Sequence, residues 1–165
     1  MEHPINRRPL LAAGALVGIG MGGFVDGIVF HQLLQLHNML SAKYPPRESL
    51  VNAEINMFWD GMFHALTWAA TGLGIALLWR TGQRTDVPWS TQTFGGSLLL
   101  GWGLFNLVEG VIDHHILHLH HVVEGPGHLA YDLMFLGSGV VLVAFGLILL
   151  RRGQRDVAPR GVAPR

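Results

Sequence analysis

The sequence predicts an all-α fold, an integral membrane four-helix bundle built from two tandem repeated helical hairpins. Three observations carry that reading. Half of the 165 residues are hydrophobic and only 13% are charged, a composition suited to lipid rather than to a water-soluble domain. Four segments, 10–31, 57–79, 94–116 and 129–150, are long and apolar enough for a hydrocarbon core, which takes about 20 residues of helix. The chain also repeats itself. Asp26-Gly27 with His31 and His37 recurs 83 residues later as Glu109-Gly110 with His114 and His120, and Trp59-Asp60-Gly61-Met62-Phe63 recurs 72 residues later as Tyr131-Asp132-Leu133-Met134-Phe135. The duplicated unit is therefore a two-helix hairpin, and both copies are expected to cross the membrane in the same sense.

The elements follow in order. Arg7-Arg8 before an apolar run imitates a secretion signal, but no small-residue cleavage motif follows it and cleavage would remove one member of the repeat, so the run is read as a retained span. Gly14, Gly18 and Gly22 stand four apart in it, a spacing that lets helix backbones approach closely; packing within one bundle is the expected use, ahead of a dimer interface. Pro45-Pro46 cannot continue the first helix, and Arg47-Glu48-Ser49 suggests the N-cap region of the second. A middle loop carries Gly82, Pro88 and Ser90, and Gly125-Pro126-Gly127 separates the third helix from the fourth. Residues 1–152 form the membrane domain, with hairpins at about 10–80 and 94–152, and the polar, basic residues 153–165 form a tail expected to be disordered.

Charge sets the expected orientation. Nine of the 11 Lys and Arg precede the first span, lie between the second and third, or follow the fourth, and only Lys43 and Arg47 lie on the other face. The positive-inside rule then places both termini and the middle loop in the cytoplasm of a bacterial inner membrane. The expected partner is the lipid bilayer, with no nucleic acid; a homo-oligomer or a membrane partner stays open. The absence of cysteine excludes disulfides and thiolate metal sites, so any metal must be held by nitrogen and oxygen.

Nine of the 10 histidines and five acids fall toward the outer half of the bundle. Asp60 and His64, and likewise His128 and Asp132, are four apart, the spacing by which one helix offers two ligands to one ion. With His31 and His114 they make the expected metal set: His31, Asp60, His64, His114, His128 and Asp132. Asp26, Glu109, Asp113, His37 and His120 are assigned as deeper ligands or as acceptors that orient imidazoles. Such a donor set suits a divalent transition metal, Zn, Fe, Mn or Cu(II). Asp26 and His31 are five apart, as are Glu109 and His114; either a π-bulge near each glycine brings acid and imidazole onto one face, or they face different partners. His37 shares a face with Asp26 on a straight helix, but about 16 Å of rise would keep them from one ion. Acids and imidazoles that merely pair across the bundle are the competing explanation. His115, His118 and His121 lie on other faces near the aqueous end and are expected to make surface or weak secondary metal contacts.

These residues resemble a known family. The run Asp26 to Gln35 with His37, the run Asp60-Gly61-Met62-Phe63-His64, and Glu109-Gly110 followed by Asp113-His114-His115 and His120-His121 are similar to the predicted bacterial membrane proteins grouped as domain of unknown function 2243. The resemblance covers most of the chain apart from the tail and implies a four-span membrane protein; it carries over no catalytic residues.

Function is then expected to be metal binding at an outward-facing His/carboxylate cluster, in metal handling or as a small metalloenzyme. Proton or metal translocation is the alternative, together with a structural polar core in a membrane assembly factor. The stretches 10–25 and 133–150 hold no charged residue, which argues against a through-path in one protomer. As an enzyme the protein would be a metal-dependent hydrolase or oxidase acting on a lipid-borne substrate, with catalytic residues unknown. No serine, lysine or tyrosine marks a nucleophile. A bis-histidine haem on His31 and His114 is disfavoured by the carboxylates around them.

Overall fold

The computed structural model describes residues 5–156, so the expectation of tail disorder beyond Asp156 lies outside the described residues. Helix α1 spans Arg8–Phe24 and continues as a π-helix over Val25–Leu33; α2 spans Leu50–Gly82; α3 spans Thr91–Glu109 and continues as a π-helix over Gly110–Ile116; α4 spans His128–Gly153. The four continuous helical segments are each long and apolar enough to cross a membrane, and no strand occurs among the described residues. Helix α2 begins at Leu50 because Ser49, in extended conformation, accepts the Asn52 N–H and caps it. At 33 residues it is about 50 Å long, more than a hydrocarbon core of about 30 Å requires. Its polar first turns, with Asn52 and Asn56, therefore lie among the loops.

The inner helices are α1 and α3. Helix α1 packs on α2 and α3, and α3 packs on α4, so α2 and α4 occupy the flanks. The glycines explain the close crossings. A methyl on Gly18 would fall on the Leu98 carbonyl and one on Gly101 on the Ala15 carbonyl, so the α1 and α3 backbones touch where each lacks a side chain. Gly96 and Gly146 join α3 to α4 in the same way, a methyl on either lying 2.8 or 2.7 Å from the other's carbonyl oxygen. Gly14, Gly18 and Gly22 all face α3. The four-residue spacing serves packing within the chain.

The interior is polar and the surface apolar. Among the described residues the only buried hydrophobic side chains are Leu10, Ala13, Val87 and Val122, whereas Asp26, His31, His37, Asn56, Asp60, Asn106, Glu109, His114, His120 and Asp132 are all buried. Trp68, Trp79, Leu66 and Met134 are each at least 67% exposed. In water that surface would aggregate; against acyl chains it costs nothing, and helix association rests on close packing and internal hydrogen bonds.

Candidate metal centre

The centre begins where α1 and α3 change pitch. One π turn brings residues five apart onto nearly one face, and the structure decides in favour of the π-bulge alternative: His31 Nε2 lies 3.1 Å from Asp26 Oδ2 and His114 Nε2 lies 3.3 Å from Glu109 Oε1. Glycine makes room for the wide turn. A side chain at Gly27 would collide with His64 and Phe63 of α2, and one at Gly110 with Leu136 and Phe135 of α4.

Both π segments then stop and the chain reverses. The N–H groups of Leu34 and Leu36 bond the carbonyls of Val29 and Phe30, those of Leu117 and Leu119 bond Ile112 and Asp113, and Gln35 and His118 take positive φ of 50° and 48°. The reversal corrects the straight-helix expectation for His37. Instead of standing about 16 Å above Asp26 by rise alone, its Nε2 comes within 3.7 Å of Asp26 Oδ1. His120 likewise turns back, with Nε2 3.0 Å from Glu109 Oε1. The two loops interlock over the site: Ala42 N–H donates to the Leu119 carbonyl and Ser41 Oγ to Glu124.

Four imidazoles consequently face one another. His31, His37 and His120 offer ligand atoms within 4.8 Å of one another, and so do Glu109, His114 and His120. Each ring has an oxygen beside its Nδ1. His37 donates to the Val122 carbonyl at 2.9 Å and His120 to the Met39 carbonyl at 3.1 Å; since a carbonyl only accepts, the proton of each neutral ring sits on Nδ1 and Nε2 is left with a lone pair. His31 Nδ1 lies 3.0 Å from Asp60 Oδ1. His114 Nδ1 lies 3.3 Å from Asp132 Oδ1 without hydrogen-bond alignment. The ring nitrogens turned inward are poorly satisfied. The Nε2 atoms of His31, His37 and His114 are buried without an aligned hydrogen bond, each 3.1 to 3.7 Å from a carboxylate oxygen of Asp26 or Glu109, and Glu109 Oε2 is buried with no hydrogen-bond partner.

Electrostatics distinguish the two loop histidines. Burial is the largest influence on both and disfavours the charged ring. For His37 it prevails and the ring is held below its ordinary value; for His120 the hydrogen bond and charge of Glu109 outweigh it and the net displacement is upward.

The other expected residues take different places. Asp60 does not face the centre. It accepts from Gln32 Nε2, Asn38 Nδ2 at 2.7 Å and Met39 N–H at 2.8 Å as well as contacting His31, which makes it a hub for the first loop. Asp132 accepts the Val122 N–H and contacts His121 and His114. The roles expected of the acids are thus exchanged: Asp26 and Glu109 face Nε2 atoms, while Asp60 and Asp132 hold Nδ1 atoms. His64 is turned onto its own helix, its Nδ1 2.7 Å from the Asp60 carbonyl, and it joins none of the possible metal-holding groups among the described residues. His128 groups with His121 and Asp132 at the rim. Asp113 is half-buried and His118 exposed. His37 and His120 were underweighted by helix geometry alone, although their shared register with Asp26 and Glu109 across the repeat was a signal for them.

A family model described as "Predicted membrane protein (DUF2243)" matches residues 13–153. No curated protein and no solved structure matches the chain.

Proposed function

Because the chain belongs to this family of predicted membrane proteins, we propose that its polar core is a metal centre held within the membrane-spanning bundle. At least one divalent transition metal ion is bound by the Nε2 atoms of His31, His37, His114 and His120 with the carboxylates of Asp26 and Glu109. The observation that carries this reading is the orientation of the rings: an oxygen lies beside every Nδ1, while all four Nε2 atoms turn inward to within 3.0 to 3.7 Å of the carboxylates of Asp26 and Glu109. Metal-ligating histidines are fixed in this manner, since the outer partner selects the tautomer and raises the basicity of the ligating nitrogen. Imidazole and carboxylate donors without sulfur favour Zn, Fe, Mn or Cu(II).

The centre faces outward in this reading. Of the lysines and arginines, the loops that cover it carry only Lys43 and Arg47, whereas Arg7, Arg8, Arg84, Arg151 and Arg152 lie toward the other end, where Arg7 donates to the Gln154 carbonyl and Asn6 N–H to that of Asp86. Metal handling at the outer face of the membrane is the function that fits best. Elemental analysis of the protein purified without chelators tests it, with at least one transition metal ion per chain expected and the ion of the buried centre missing from a His37→Ala/His120→Ala variant. A metal-free wild type that takes up no added ion would overturn it.

One feature favours catalysis as a second reading. A groove of about 380 Å³ between α1, α3 and α4, lined by Val25, Phe30, Trp102 and Val141 among others, brings the apolar flank of the bundle to Asp26. A bound metal would supply an activated water or redox chemistry there, and an amphiphilic substrate from the bilayer could reach it. Turnover lost in a Val141→Trp variant that keeps its metal supports this reading.

A further inference from the structure

A third set of ligating groups lies at the rim, outside the buried centre. His121 and His128 are half-buried, their rings stacked with centroids 4.0 Å apart. With the buried Asp132 they offer three ligand atoms all within 4.8 Å of one another. His121 Nδ1 lies 2.8 Å from Asp132 Oδ2, and His128 Nδ1 lies 3.1 Å from the Gly125 carbonyl. Neither contact uses Nε2.

The other hairpin shows what these positions need for folding alone. At the offsets of 83 and 72 residues that relate the two halves, the residues are Asn38 and Asn56. Asn38 Nδ2 donates to Asp60 Oδ2 at 2.7 Å, as His121 does to Asp132. Asn56 accepts the Leu40 N–H and donates to the Tyr44 carbonyl, tying the loop to α2. Amides are therefore sufficient for the structural task. An imidazole adds what an amide lacks, a basic nitrogen that ligates transition metals.

We propose that His121, His128 and Asp132 form a second metal site, which captures a divalent transition metal ion from the aqueous phase. Two imidazoles and one carboxylate select a borderline ion such as Zn(II) or Co(II) over Ca(II) or Mg(II), which require oxygen. Three protein ligands leave the remaining positions to water, so the ion exchanges readily. Asp132 joins the site to the buried centre, since its other oxygen lies 3.3 Å from His114 Nδ1. The site stands on its own geometry and does not depend on the buried centre holding metal.

The test is equilibrium dialysis of the full-length, detergent-solubilised protein against Zn(II), with Co(II) absorption as a second readout. A His121→Asn/His128→Asn variant copies the amides of the first hairpin and keeps their hydrogen bonds. It is expected to bind one equivalent fewer than wild type, losing the weaker class, with the melting temperature of the metal-free protein unchanged. Equal stoichiometry and affinity in the two proteins overturns the proposal. Should the double variant fold poorly, His128→Asn alone gives the same readout. A His37→Ala/His120→Ala variant is expected to retain the weaker class, and loss of all binding there also overturns the rim site. Wild type binding a single ion that disappears in the Asn variant upholds the rim site and refutes the buried one.

Discussion

His37 and His120 lie face to face, ring centroids 4.7 Å apart and planes 4° from parallel, each anchored through Nδ1 to a carbonyl of the other loop, Val122 and Met39. The pair couples the two hairpins at the point where metal is proposed to bind. Each loop thus places its partner's ring, and neither half completes the centre alone.

Removal of one of these rings is expected to cost metal first and stability second. In His37→Ala the bound ion is lost, and so is the stabilisation it confers, about 2.7 kcal/mol when free ion is 100 times Kd. His64→Ala is expected to keep both, because that ring bonds its own helix backbone. Metal analysis with thermal melts, with and without added Zn(II), distinguishes the two.

The outer carboxylates give a graded effect. Asp60→Asn leaves every proposed ligand in place but weakens the acceptor beside His31; Asp132→Asn does the same beside His114 while also removing a carboxylate of the rim site. Affinity of the buried centre is expected to fall about 10- to 100-fold with its own stoichiometry preserved. Competition titration against a chelator of known affinity measures it; unchanged affinity would mean that these acids are not orienting the rings.

Acid is expected to release the metal. Bound imidazole must be neutral, so protons compete with the ion and occupancy falls as pH drops below about 6. Dialysis at stepped pH followed by elemental analysis checks the direction, and retention of full occupancy at pH 4 contradicts imidazole ligation.

The glycine crossings predict a sharp positional contrast. Gly18→Ala places a methyl on the Leu98 carbonyl and is expected to destabilise by about 1 to 3 kcal/mol. Gly72→Ala and Gly137→Ala meet nothing within 4 Å and are expected to be neutral or stabilising by up to about 1 kcal/mol. Melting in one detergent compares them directly.

Topology follows from the charge distribution. Reporter fusions are expected to place Ser41 outside and Arg84 in the cytoplasm. Ser41 in the cytoplasm with Arg84 outside would invert the proposed direction of access to the metal, and both in the cytoplasm would refute the span between them.

The sequence by itself determined the helical class, the four span-length helices, an N-cap region at Arg47-Glu48-Ser49 and the acid and histidine pairs five residues apart, because these depend on local composition and spacing. It also narrowed the local geometry at Gly27 and Gly110 to two alternatives, since an interval of five is awkward on an α-helix and natural on a π turn. Only the tertiary structure decided which donors converge. The reversals at Gln35 and His118 bring His37 and His120 back to Asp26 and Glu109, and helix periodicity cannot foresee a turn whose stability comes from contacts with the opposite loop. The same holds for Asp60 and His64: their four-residue spacing puts both on one stripe of α2, but the first loop occupies the carboxylate and Gly27 lies against the imidazole. A helical stripe states which side chains share a face. What that face meets is settled by packing between helices distant in sequence.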